Sequence, residues 1–203
     1  MKTITLLLAL LLMLALPSQT YAALSFGVNP ARLTVTANST INTLSAWTVI
    51  VWVRPEVLMA GRNIASKHNG ISNGWIFRYS GADTTNLQVL ADRTVNVSYI
   101  TNDAPLTGTV GSWVYYAATF NTSASAGQVV NIYKGTLTQL ATERTYSVTT
   151  DGSGAVDSDS SRNFMFGNRD EVGVYSSSFP GKMAWGALLK YIPHALSLIH
   201  ISE

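Results

Sequence analysis

The chain has 203 residues, 13 Lys and Arg against 11 Asp and Glu, a formal net charge of +2 and only 12% charged residues. A nucleic-acid partner would need clustered Lys and Arg, and this balance argues against one. No cysteine is present, so disulfides are excluded and burial and hydrogen bonds alone must hold the fold.

In chain order, residues 1–22 come first, MKTITLLLALLLMLALPSQTYA, with Lys2 ahead of an uncharged apolar run at positions 4–16 and small residues at Thr20 and Ala22. This is the pattern of a secretory signal peptide cut after Ala22 or Ala23, with an uncleaved anchor as the alternative. The run falls short of the roughly 20 apolar residues of a spanning helix. No stable membrane span is therefore expected after cleavage, and the mature chain belongs in a periplasm, on a cell surface or in the medium. Residues 23–195 have the length of one domain.

Beyond the signal, apolar residues alternate with period two: Trp75, Phe77 and Tyr79; Leu87, Val89 and Ala91; Val95, Val97 and Tyr99; Met183, Trp185, Ala187, Leu189 and Tyr191. Such alternation puts successive side chains on opposite faces of a strand. Turn formers separate the runs at 68–74, 80–83, 102–108, 122–127 and 150–161. Many short strands joined by polar turns predict an all-β antiparallel sandwich or barrel with no helix longer than a turn or two. The polar stretch 149–162 is expected to be a loop. Glycosylation triplets begin at Asn38, Asn96 and Asn121, and matter only in a host that glycosylates exported proteins.

The segment GSWVYYAATF at 111–120 carries four aromatics and no charge. As a strand it divides into Val114, Tyr116, Ala118 and Phe120 on one face and Trp113, Tyr115, Ala117 and Thr119 on the other. The first set is expected to be core. The second, Tyr115 above all, is the candidate surface for a ligand, because an exposed ring offers a sugar a flat apolar face with a polar edge.

The segments LSAWTVIVWVRPE (44–56), IASKHNGISNGWIFRYS (64–80), GSWVYYAATFN (111–121), VVNIYKGTL (129–137), FMFGNRD (164–170) and FPGKMAWGALLKY (179–191) follow one another in order. This series resembles the strands of a laminin G-like, concanavalin A-like lectin/glucanase jelly-roll domain. The resemblance implies a two-sheet antiparallel jelly-roll sandwich whose curved face and rim loops bind glycan or an extracellular protein, sometimes through calcium. On that basis Tyr115, Trp75, Asn168, Arg169 and Asp170 are the candidate ligand contacts. The Asp-Gly or Asn-Gly turn usual after the IY strand is Lys134-Gly135 here, and no site is carried onto it.

Three constellations bear on chemistry. GISNG at 70–74 matches the G-x-S-x-G elbow, with Ser72 as nucleophile and His194 downstream, but an elbow needs a following helix and an alternating strand follows instead. The reading is a Gly/Asn hairpin loop. Glycoside hydrolysis needs two carboxylates at a fixed separation, and Glu56, Glu143 and Glu171 stand in no Glu-x-Asp-x-x-Glu pattern. Finally, Asp157, Asp159, Ser161 and Asn163 alternate in a loop that also contains Asp151. Oxygen ligands so spaced suit Ca2+, although the Gly and Glu of an EF-hand loop are replaced by Arg162 and Asn168. Asp151, Asp157 and Asp159 are thus the candidate metal ligands.

Residues 196–203, LSLIHISE, are what one reading frame of a widely used sequencing-transposon end encodes, so this tail is expected to be library adapter and the native chain to run on differently after Ala195. The functional expectation is a secreted lectin-like binding module. A polysaccharide or ester hydrolase on the same fold and a structural surface or virion component are the alternatives.

Overall fold

The computed structural model describes residues 24–26, 32–70, 73–81, 86–102, 109–170 and 177–190. Among them are fifteen strands and no α-helix. The chain runs through β1 (Leu24–Phe26), β2 (Leu33–Val35), β3 (Ala46–Pro55), β4 (Asn63–Lys67) and β5 (Trp75–Tyr79). Next come β6 (Leu87–Ala91), β7 (Arg93–Val95), β8 (Val97–Thr101), β9 (Val114–Asn121) and β10 (Val130–Thr136). The last five are β11 (Thr142–Glu143), β12 (Tyr146–Thr150), β13 (Ser153–Val156), β14 (Phe164–Phe166) and β15 (Gly181–Leu189).

Two large sheets, antiparallel throughout, form the expected jelly-roll sandwich. One has six strands in the order β1-β15-β3-β9-β10-β11 and the other seven, β12-β8-β6-β5-β4-β14-β2. The alternation in β3 sets the sandwich. Trp47, Val49, Val51 and Val53 are fully buried toward the second sheet, and they pair in register with Phe120, Ala118, Tyr116 and Val114 of β9. Facing them are Trp75, Phe77 and Tyr79 of β5 and Leu87, Val89 and Ala91 of β6, all members of the same core cluster. The sheets meet through aromatic rings: Trp47 stacks on Trp75 at 4.2 Å between ring centroids and on Phe120 at 5.5 Å. Trp75 continues to Phe164 at 5.8 Å.

Two glycines are demanded by this packing. A Cβ at Gly186 of β15 would lie 2.7 Å from the Phe166 ring, and one at Gly74, where φ is +139°, would lie 1.8 Å from the Lys67 carbonyl oxygen.

Three expectations from sequence are corrected. Met183 and Trp185 do not share a face, because the register slips between them and leaves Ala184 unpaired; such a bulge puts two residues opposite one. Met183 therefore joins the core while Trp185 is 51% exposed. The stretch 149–162 is not all loop: β13 lies within it and pairs with β7. Lys134-Gly135 is not a turn, because β10 continues to Thr136.

Replacing Trp47 with Ala removes the ring that joins the sheets. Emptying such a site costs about 3–5 kcal/mol, which should lower the melting temperature by roughly 10 °C or more. Calorimetry checks this, and an unchanged melting temperature would contradict the packing described.

Candidate binding surfaces

One end of the sandwich is closed by the loop between β13 and β14. Lys67, the last residue of β4, pairs with Trp75 and is fully buried. Its ammonium donates to the Asp159 carboxylate at 2.8 Å and to the Asp159 carbonyl at 2.5 Å. The Thr43 N–H donates to the same carboxylate oxygen at 2.7 Å.

Beside this pair, the Gly70 N–H donates to Nδ1 of His68 at 2.7 Å, so Nδ1 is an acceptor and Nε2 carries the proton it shares with Asp92 at 3.0 Å. Both ring nitrogens are used, and neither is left to activate a nucleophile. Ser72 and His194 lie outside the described residues.

The expected rim contacts hold the loop. Asn168 is fully buried; its amide donates to Ser178 Oγ at 3.1 Å, and its side-chain oxygen accepts from the Arg169 N–H at 2.9 Å. Its carbonyl accepts from Ser66 Oγ at 2.7 Å. Asp170 accepts from the Asn163 N–H at 2.8 Å, while its own N–H donates to the His68 carbonyl at 3.0 Å. Arg169 is half-buried next to them. Asn168 is thereby a structural residue with no surface to offer a ligand; Arg169 and Asp170 border the rim.

The three candidate metal ligands are not brought together. Asp151 accepts from the Tyr99 hydroxyl and, at 2.7 Å, from the Gly127 N–H. Asp159 is committed to Lys67 and Thr43, and Asp157 is joined to Asp92 through its backbone N–H. Among the described residues no three His, Cys, Asp or Glu side chains gather as a cation site would need. This donor set does not fit calcium, because a buried ammonium already neutralises the carboxylate at its centre.

The other surface is the face of the six-stranded sheet turned away from the core. Trp185, Trp52 and Tyr115 form one row across β15, β3 and β9, and Gly135 of β10 continues it without a side chain. A Cβ at Gly135 would lie 2.9 Å from the Ala141 backbone nitrogen, so the glycine lets the β10–β11 hairpin close over the sheet. Tyr115, Ile50 and Ala117 form a second apolar cluster against which Trp52, Tyr133, Ala141 and Leu189 pack. Trp52 meets Tyr115 edge-on at 5.8 Å.

Tyr115 therefore lies on the outward face, as expected, but at 2% exposure it is the floor of this cluster. Burial, and next the neighbouring Tyr133, push its phenol pKa up. Its hydroxyl and the Trp52 indole nitrogen are buried without hydrogen-bond partners. Trp75, also expected as a ligand contact, is core, 4% exposed in the stack with Trp47. Trp185 was not a candidate in the sequence reading because its alternation hides the bulge. Next to it, a groove of about 210 Å³ is lined by Leu24, Leu33, Phe166, Met183 and Trp185.

A family model described as the concanavalin A-like lectin/glucanases superfamily matches residues 29–185. No curated protein matches the chain. Among solved structures, domains LG4-5 of the mouse laminin alpha1 chain are similar at TM-score 0.56 and 13% identity, over 87% of this chain and 44% of that one. A heptameric SAP-like pentraxin from Limulus polyphemus is similar at 0.54 and 14%, over 84% and 76%. The CBM40 of a Ruminococcus gnavus IT-sialidase, bound to α2,3-sialyllactose, is similar at 0.51 and 9%, over 85% and 93%.

If Asp151 is a structural acceptor, Tyr99→Phe should leave it short of a donor, at a cost of about 1–3 kcal/mol. The melting temperature should fall by roughly 3–10 °C, equally in calcium and in chelator. A fall seen only in chelator would return Asp151 to the metal.

Proposed function

The chain belongs to the concanavalin A-like lectin/glucanases superfamily, and from that membership we propose that it is an exported binding module that takes a glycan on the outward aromatic face of its six-stranded sheet. The observation that carries this reading is the half-exposed Trp185 set in one row with Trp52 and Tyr115. A pyranose presents apolar C–H bonds on one side and hydroxyls around its edge, and an indole surface bordered by polar atoms complements both. Trp185 offers the exposed ring of this row, while Tyr115 lies beneath it as the floor on which Trp52 packs edge-on.

The fold neighbour bound to sialyllactose supports a sugar as the class of ligand. The signal-like segment at 1–22 supports an extracellular or periplasmic setting, where glycans are met. The alternative reading, a hydrolase on the same fold, finds no support in the His68–Asp92 pair, whose ring nitrogens are both committed.

Trp185→Ala should weaken binding of a soluble oligosaccharide by about tenfold or more, since an aromatic anchor contributes on the order of 1–2 kcal/mol. Its melting temperature should stay within roughly 2 °C of wild type, as for other exposed positions. Calorimetric titration against neutral and acidic oligosaccharides provides the measurement. Undiminished binding by Trp185→Ala, together with loss of binding in Asp170→Ala, would move the site to the rim.

A further inference from the structure

We infer that the Lys67 ammonium is a built-in cation which does for the 157–163 loop what a bound metal ion would do, so that the rim of this domain is organised without calcium. The inference is independent of the glycan reading, since it concerns how the loop is held.

Asp159 is nearly fully buried at 1% exposure, and Lys67 shows none. The ammonium is gripped by one carboxylate oxygen and one backbone carbonyl of the same residue. Those are the oxygen types a hard cation takes. The same carbonyl accepts from the Arg162 N–H at 2.8 Å, and the same carboxylate oxygen accepts from the Thr43 N–H at 2.7 Å. One residue thus ties the end of β4, the segment before β3 and the turn at 159–162 to a single positive charge.

A buried carboxylate needs a compensating charge, and here the chain supplies it. A divalent ion at the same oxygens would have to share a dry site with an ammonium it repels. The placement of the lysine is fixed by packing: its pairing with Trp75 directs it inward, and the backbone of Gly74 abuts its carbonyl so closely that no Cβ fits.

The test is thermal unfolding of the full protein, without glycan, in millimolar calcium and in chelator, for wild type, Lys67→Met and the neutral pair Lys67→Met/Asp159→Asn. Wild type should melt at the same temperature in both, within about 1 °C. Lys67→Met should melt roughly 10 °C lower, because a lone buried carboxylate remains. The double variant should recover part of that loss, as coupled groups do. A wild-type protein stabilised by calcium, with the gain abolished in Asp159→Asn, would overturn the inference. So would a double variant no more stable than Lys67→Met. Should neither variant fold, calcium titration calorimetry on wild type decides alone: no heat supports the built-in cation, and saturable binding contradicts it.

Discussion

The stack of Trp47 on Trp75 is the contact on which the rest of this structure depends. A chain with no cysteine must join two sheets by packing alone, and these two rings, 4.2 Å apart, bridge the middle of one sheet to the middle of the other. Because strands alternate, fixing Trp47 inward fixes Val49, Val51 and Val53 inward and turns Ile50 and Trp52 outward. Fixing Trp75 inward does the same for Lys67, its register partner on β4. The aromatic face and the buried ion pair are thus two consequences of one core.

Those consequences divide the labour of the domain. At the end of the sandwich, titratable groups are consumed in holding loops: Lys67 by Asp159, His68 by Asp92, Asp170 by Asn163 and Asp151 by Tyr99. The outward sheet face is different. Its aromatic rings pack with Ile50, Ala117, Ala141 and Leu189 in a cluster of their own, and Trp185 stands half-exposed beside it. The glycan site we propose lies on this face, away from the groups spent on holding the loops.

Much of the fold was legible in the sequence because period-two alternation and polar turns are local signals. The inward set Val114, Tyr116, Ala118 and Phe120 was correctly assigned to the core for this reason. The site was less legible. A bulge is a one-residue register slip set by the neighbouring strand, so nothing in MAWGALL announces that Met183 and Trp185 part company. Trp75 read as a surface ring because alternation names two faces without saying which one is covered. Asp159 read as a metal ligand because its partner, Lys67, lies 92 positions away in sequence. Acidic spacing in a loop is visible locally, whereas the lysine that answers it is visible only once β4 has been docked against that loop.

A glycan on the outward face is tested most directly by nitrogen-15 NMR of the indole and backbone N–H groups during titration with an oligosaccharide that binds. The five tryptophans are distributed informatively, with Trp47 and Trp75 in the core and Trp52 and Trp185 on the outward face. The Trp52 and Trp185 indole resonances should move with saturation while those of Trp47 and Trp75 stay in place. Unmoved Trp52 and Trp185 signals, with shifts confined to Arg169, Asp170 and their neighbours on the rim, would contradict a glycan site on this face.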